Sequence, residues 1–464
     1  MKKKDNFNTY LSLRKEYEFF TYEDFKIVRN SDHFHIAFFF NLSDKYFFKP
    51  TLKIPFKHFY KDVKISDIEN IIFHIGLIEL ISYWKAACSP EIIVKCGFLN
   101  ADQIAWWKKL YFHGLGEFFF LNSIKTNLND FVKITIDSDK KFEKQIIENS
   151  NANIIPIGGG KDSIVTLELL SEQQKQNKCF IVNHREASLR VIQAAGYSMN
   201  DVIEFHRTID NELFKLNEKG FLNGHTPFSA LLAFNSLLAS VFSGIKNIVL
   251  SNESSANEPT VEGANHQYSK SFEFESDFRK YVKSFITEDI NYYSLLRPLT
   301  ELQIAKLFSM FPKYFEVFKS CNVGSKTDEW CGKCPKCLFT YIILSPFVES
   351  QKLQEIFGKN LFEDAHLLKY FNELTGIADE KPFECIGTID EINIALCKII
   401  EKHKNEKLPF LLNYYRNSES YNKFSTINFE NFLNNFEQEH FLSSELFDVL
   451  YKKLNEGKSA KTNR

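Results

Sequence analysis

The sequence predicts an α/β protein centred on a doubly wound parallel sheet, with an α+β unit before it and a helical region after it. Three observations carry this reading. A short apolar run, Ile154–Ile157, leads into Gly158-Gly159-Gly160-Lys161-Asp162-Ser163, and Ile164–Leu170 then continues at helical spacing. Strand-like and helix-like segments alternate from there to Leu250. Beyond about Phe347 the pattern is helical throughout. The expected units are an N-terminal α+β domain over 1–150, a central α/β domain over 151–350 and a helical region over 351–464.

The first unit opens with a sheet signature. Aromatic and β-branched residues dominate from Phe34 to Phe56, broken by Asn41-Leu42-Ser43-Asp44 and by Pro50, which reads as strand, turn and strand. Ile68–Ala87 has helical periodicity, and Ser66 with Glu69 resembles a capping box at its start. Ala101–Leu121, with Trp106, Trp107 and three consecutive phenylalanines, reads as core or as a domain interface. In the central unit Cys179–Val182, Val202–Phe205 and Asn247–Leu250 read as strands, and Ser188–Ala195 and Phe228–Phe242 as helices. Right-handed crossovers place ligands at the carboxyl ends of such strands. Thr300 with Gln303 forms a further capping box. In the last unit Leu353–Phe357, Ala365–Leu374, Ile389–Glu401 and Phe429–Leu454 read as helices without a chemical motif.

Bulk composition excludes several classes. A hydrophobic content of 44% with 25% charged residues is that of a folded globular chain. The formal net charge of -2 supplies no general attraction to nucleic acid, and the short basic groups at Lys2–Lys4 and at the C-terminus read as solvated ends. Ile71–Trp84 and Phe228–Phe242 are both shorter than the roughly 20 residues a membrane span needs, and both carry polar groups. The segment after Met1 lacks the apolar core of a signal peptide, and nine cysteines with one tight cluster suit a reducing compartment. A cytoplasmic protein without membrane insertion is the expectation. The 48 phenylalanines read as a habit of composition.

The glycine loop is the first chemical signal. Strand, three glycines and a helix start bring backbone amides and the helix dipole to bear on an anion. Asp162 suits Mg²⁺, and Ser163 suits a departing phosphate group. Lys161 is followed by Asp, so this is no Walker loop. The second signal is Cys331-Gly332-Lys333-Cys334-Pro335-Lys336-Cys337 with Cys321 ten residues upstream. Four thiolates at this spacing close a tetrahedral Zn²⁺ site that is structural, with an iron–sulfur cluster as the alternative. Cys88, Cys96, Cys179, Cys385 and Cys397 read as apolar residues rather than nucleophiles.

The loop resembles the PP-loop of N-type ATP pyrophosphatases, Ser-Gly-Gly-x-Asp-Ser, with Gly158 in place of the serine. The cysteine spacing is similar to that of PP-loop 7-cyano-7-deazaguanine synthases. Further motifs narrow the resemblance. They are Ser82-Tyr83-Trp84-Lys85, Trp106–Tyr111, Gly114-Leu115-Gly116-Glu117-Phe118, Asn223-Gly224-His225-Thr226-Pro227, Ser251–Asn257 and Asn265–Ser271. Together with Trp330–Cys337, they resemble the ATP-dependent UDP-N-acetylmuramoyl-L-alanyl-L-glutamate epimerases of peptidoglycan synthesis. The resemblance spans about residues 70–350. It implies cleavage of ATP to AMP and pyrophosphate, an adenylated α-carboxylate, and inversion of the terminal glutamate of a UDP-linked muramoyl dipeptide.

Under that resemblance His225, Glu253 and His266 are the candidates for proton transfer, with Mg²⁺ binding as a second role for Glu253. The nucleotide candidates are Gly158, Gly159, Gly160, Lys161, Asp162, Ser163, Asn183, Tyr268, Lys270 and Arg297, with His184 nearby. Arg297 suits pyrophosphate or, equally, a surface ion pair, and Tyr268 and Lys270 suit phosphate or substrate carboxylates or, equally, a solvated loop. The metal candidates are Cys321, Cys331, Cys334 and Cys337. The rival enzymes are another PP-loop adenylating type, deazaguanine-forming or tRNA-modifying. The rival of another class is a binding module that uses the cysteine cluster as a contact surface.

Overall fold

The computed structural model describes residues 3–58, 63–145, 150–259 and 265–456. The lysine at position 2 and the basic residues beyond 456 lie outside the described residues. Eleven strands form one sheet: β1 (Phe19–Arg29), β2 (His33–Leu42), β3 (Tyr46–Phe48), β4 (Thr51–Pro55), β5 (Glu91–Val94), β6 (Lys133–Ile136), β7 (Ser150–Pro156), β8 (Asn177–Val182), β9 (Val202–Thr208), β10 (Ile245–Leu250) and β11 (Asn291–Ser294). The order is β11-β10-β7-β8-β9-β4-β2-β1-β5-β6, with β3 paired to β2. The five strands β11, β10, β7, β8 and β9 are all parallel. Chain order runs outward from β7 to β9 on one side and from β10 to β11 on the other. The reversal therefore falls between β7 and β10, where an open parallel sheet leaves a crevice at its carboxyl edge.

Side chains of this sheet alternate between two cores, as the two-residue period requires. Ile154, Phe180 and Ile248 enter one core with the helix Phe228–Ser243. Ile155, Cys179, Ile181 and Val249 enter the other with the helices Lys161–Leu169, Glu301–Ser309 and Pro335–Leu344. Buried on both faces, these strands read as apolar runs rather than alternating ones.

The N-terminal strands join the same sheet. β4 pairs antiparallel with β9, so Thr51, Leu52 and Lys53 lie opposite Thr208, Arg207 and His206. The helix Glu69–Trp84 is buried all round and packs on Phe228–Ser243. Arg207 forms a two-pronged ion pair with the buried Glu79 of that helix, at 2.8 and 2.7 Å. The unit predicted over 1–150 is thus continuous with the central sheet.

Two local expectations need correction. Ser66 lies in a single turn, Ile65–Asp67, and does not cap the helix, which starts at Glu69. There the Asp67 carboxylate accepts from the Lys64 amide instead. The expected helix Phe429–Leu454 is two helices, Phe429–Phe432 and Ser444–Asn455. Asn-Asn and the polar stretch after Phe436 break the periodicity between them. The Thr300–Gln303 capping box is present. Among the described residues no helix is long and apolar enough to cross a membrane.

Candidate active site

The glycine loop leaves the carboxyl end of β7 and opens the helix Lys161–Leu169. Gly159 has φ +85°, and a Cβ there would stand 3.0 Å from the Ser188 amide. That position requires glycine twice over. Around Gly158, by contrast, a Cβ meets nothing within 4 Å, so this position opens onto free space. The Ser163 hydroxyl donates to the Gly160 carbonyl at 3.0 Å. The loop is pinned from behind by the Lys319 amide, which donates to the Gly159 carbonyl at 2.9 Å.

Ionic groups crowd the helix start. The buried Lys161 ammonium contacts both Asp162 and Glu301. Burial alone would raise the Asp162 carboxyl, but Lys161, Lys336 and Lys270 hold it below the ordinary range. Burial, with the neighbouring Asp162 and Glu253 charges, pushes Glu301 up against the pull of Lys161. Glu253 follows β10 and is 2% exposed. Three carboxylates and the ammoniums of Lys161, Lys270 and Lys336 therefore meet where the crevice is expected.

Farther from the loop the electrostatics change sign. His225 and His266 are partly buried beside Lys270, and burial is the main reason both are hard to protonate. His225 is pushed down to about 4, with Lys85 and Lys270 adding to burial. His266 is pushed down to about 3, with Lys270, His225, Lys381 and Lys336 adding to it. Both imidazoles are neutral at pH 7. Glu117 lies 3.5 Å from His225 Nδ1, and burial with the nearby Glu384 pushes its carboxyl up to about 7. Lys85 donates to the Gly224 carbonyl at 2.5 Å, and burial lowers it to about 8.

These groups meet because two glycine-containing segments touch. A Cβ on Gly114 would clash with Pro227 at 2.7 Å, and one on Gly224 would press Phe118 at 3.0 Å. Asn122 holds the Asn223 carbonyl at 3.2 Å. Segments 114–118 and 223–227, a hundred residues apart, thus form one wall.

Other expected residues take different places. Arg297 is fully buried, not at the surface. It pairs with Glu275 at 2.9 Å, and donates to the carbonyls of Glu253 at 2.7 Å and Lys270 at 2.5 Å. It clamps two site-bearing loops from behind. Asn183, at φ +54°, bridges β8 to β9 through both backbone groups of Arg207. His184 is bound to Glu204 at 2.6 Å. Tyr268 packs on His113, 4.9 Å between ring centres, and lines a cavity of about 570 Å³ with Glu273, Asp277 and Glu439. That acidic cavity, though large, is poorly suited to a phosphate.

The four cysteines of the cluster converge, every sulfur within 4.8 Å of the others. Contacts of 3.8 Å (Cys321–Cys334), 3.7 Å (Cys331–Cys337) and 3.5 Å (Cys334–Cys337) match the roughly 3.8 Å edge of a tetrahedron with about 2.3 Å metal–sulfur bonds. The four thiols fit one zinc ion. Ser320, beside the first of them, packs behind Gly160. Lys336, between the third and fourth, is one of the lysines that act on Asp162.

Sequence reasoning missed one segment altogether. Residues 381–387 of the helical region fold back over the site. Lys381 pairs with Glu258 at 2.6 Å, Phe383 packs on His266 and on Phe120, and Asn322 donates to Glu384 at 2.6 Å. Lys270 donates to the Cys385 sulfur at 3.1 Å. The reading of Cys385 as an apolar residue is corrected here, because it is half-buried and bonded to an ammonium. Lys381-Pro382-Phe383-Glu384-Cys385 lacks periodicity, and that was the only available signal. Glu117 stood within a noted motif, and its charge among aromatics was its signal.

A parallel sheet with a glycine loop at its reversal point, beside a four-cysteine cluster, defines an α/β protein with a zinc-compatible centre. The MurL N-terminal domain model matches residues 12–295, and the MurL C-terminal domain model matches residues 317–426. The chain belongs to the MurL family. Curated relatives named UDP-N-acetyl-alpha-D-muramoyl-L-alanyl-L-glutamate epimerase include one from Xanthomonas oryzae pv. oryzae (strain MAFF 311018). It is 33% identical over 72% of this chain and 75% of its own length. A Micromonospora protein (strain ATCC 39149 / NRRL 15099 / SCC 1413) of that name is 31% identical over 75% of this chain and 78% of its own. One from Salinispora tropica is 32% identical over 74% and 75%. No solved structure matches the chain.

Proposed function

We propose that this chain inverts the terminal L-glutamate of UDP-MurNAc-L-Ala-L-Glu to D-glutamate in peptidoglycan precursor synthesis, using ATP to activate the α-carboxylate. The observation that carries the reading is the position of Lys270. Its charge acts on Asp162 at the loop and on His225 and His266 at the other end. An anion held at the loop and a carbon acid at the histidines would share that ammonium. We further read the five parallel strands and the loop as a PP-loop ATP pyrophosphatase fold within a cytoplasmic enzyme.

Physical chemistry sets the need for activation. Removing the Cα proton beside a free carboxylate places negative charge on negative charge. Joining that carboxylate to AMP neutralises it and makes its carbonyl an electron sink. In this reading the loop amides and Lys161 hold the phosphates, and Asp162 would hold Mg²⁺, which supplies charge neutralisation. Lys270 would face the charge that develops on the activated carbonyl. His225 and His266, neutral at pH 7, and the half-protonated Glu117 are suited to proton transfer. Hydrolysis of the acyl-adenylate would release AMP and the D-glutamyl product. The cysteine cluster would bind zinc, which supplies rigidity, and would set Lys336 and Ser320 against the loop.

The test is incubation with ATP, Mg²⁺ and UDP-MurNAc-L-Ala-L-Glu, followed by chiral analysis of glutamate and nucleotide chromatography. D-Glutamate with one AMP and one pyrophosphate per turnover is expected. ADP as product would sink the loop assignment. AMP without D-glutamate would point to a different adenylating enzyme.

A further inference from the structure

We propose that Cys385 is a proton-carrying catalytic residue of this site, paired with Lys270 and facing the same substrate carbon as His225. The proposal rests on the ATP-dependent epimerase reading. Its basis is geometric. Lys270 Nζ donates to Cys385 Sγ at 3.1 Å, and both side chains are half-buried. Lys270 also acts on His225, and Phe383, two residues from the sulfur, packs on His266 at 5.9 Å between ring centres, which brings the segment of the thiol to the histidine end of the site. A two-base inversion places one proton-carrying group on each face of the carbon. A half-buried sulfur beside an ammonium is the kind of environment in which cysteine is reactive. The neighbouring residues of its segment are committed elsewhere: Phe383 to His266, Glu384 to Asn322, and the Thr388 amide, just beyond it, to the Glu391 carboxylate. Three separate anchors therefore fix the loop that presents the sulfur.

The step balances without an oxidant or reductant. The Cys385 thiolate takes the Cα proton; the C–H bond breaks and an S–H bond forms. The C–H electron pair moves into the activated carbonyl, giving an enolate beside Lys270. Glu117, through His225, gives a proton to the opposite face, and that electron pair returns to form the new C–H bond. The thiol then loses its proton to water, and water reprotonates Glu117. Lys270 stays charged throughout.

The experiment compares wild type with Cys385→Ala and Cys385→Ser in D₂O, measuring AMP and Cα deuterium in the same samples. The ratio of deuterium to AMP should fall by about 100-fold or more in both variants. A wild-type ratio in either variant overturns the proposal. A wild type that makes no AMP overturns the epimerase reading with it, so the two failures are distinguishable. Should the variants fold poorly, iodoacetamide labelling of the wild type replaces them. Peptide mass mapping should find Cys385 alkylated, with ATP and the dipeptide substrate together protecting it. Unprotected labelling, no labelling, or a stable substrate adduct on the sulfur contradicts a proton carrier.

Discussion

The two ends of the site solve opposite electrostatic problems. At the glycine loop, charge is kept by pairing: the buried Lys161 ammonium lies between Asp162, which it helps to hold ionised, and Glu301, which burial pushes up. At the histidine end, charges are withheld: His225 and His266 are neutral, and Glu117 lies near half-protonation. Desolvation acts at both ends, and the supply of counter-charges decides the outcome. Phosphate handling needs fixed charge, while proton transfer needs groups whose charge changes easily. Lys270 acts on both ends.

The comparison breaks most directly at Asp162. Asp162→Asn should lower AMP formation by about 1,000-fold with the fold intact, as measured by nucleotide chromatography and circular dichroism. Retained AMP formation would remove the loop from the mechanism. Arg297→Met strips the clamp behind Glu253 and Lys270 and leaves Glu275 buried and unpaired. A loss of about 3–5 kcal/mol in denaturant unfolding is expected.

Glu117→Gln sharpens the histidine end. A carboxyl raised from 4.5 to about 7 contributes most to stability below pH 4.5, and that contribution is lost as pH rises through 7. The Gln variant has no such group to ionise. It should therefore gain on wild type by on the order of 2 kcal/mol between pH 5 and pH 8, read from melting curves at each pH. A pH-independent difference would mean Glu117 titrates normally. Gly158→Ser is the smallest expected effect. A side chain there meets open space, so stability should stay within about 0.5 kcal/mol of wild type by urea titration.

The ends also differed in how legible they were. The loop, its strand and its helix are contiguous in sequence, so local pattern was enough. The four cysteines were equally plain, since three are spaced within seven residues. The histidine end draws on segments 85, 114–118, 223–227, 266–270 and 381–387, joined only by tertiary contact. His225 and His266 could be named there, whereas the only mark of Glu117 was a charge among aromatics, and Cys385 lacked any local pattern to give it away. Arg297 misled for a related reason. Its position before Pro298 says nothing about Glu275, twenty-two residues upstream, which pairs with it in the interior. The continuity of the sheet through β4 and β9 was likewise invisible, because an antiparallel pairing between residues as far apart as Thr51 and Thr208 leaves no trace in periodicity.

The most direct test of the division between the ends is a single-turnover measurement of AMP and Cα deuterium, side by side, in Asp162→Asn and His225→Asn. Asp162→Asn should lose both signals, while His225→Asn should still form AMP but take up little deuterium. Deuterium uptake without AMP in Asp162→Asn, or equal loss of both in His225→Asn, would contradict that division.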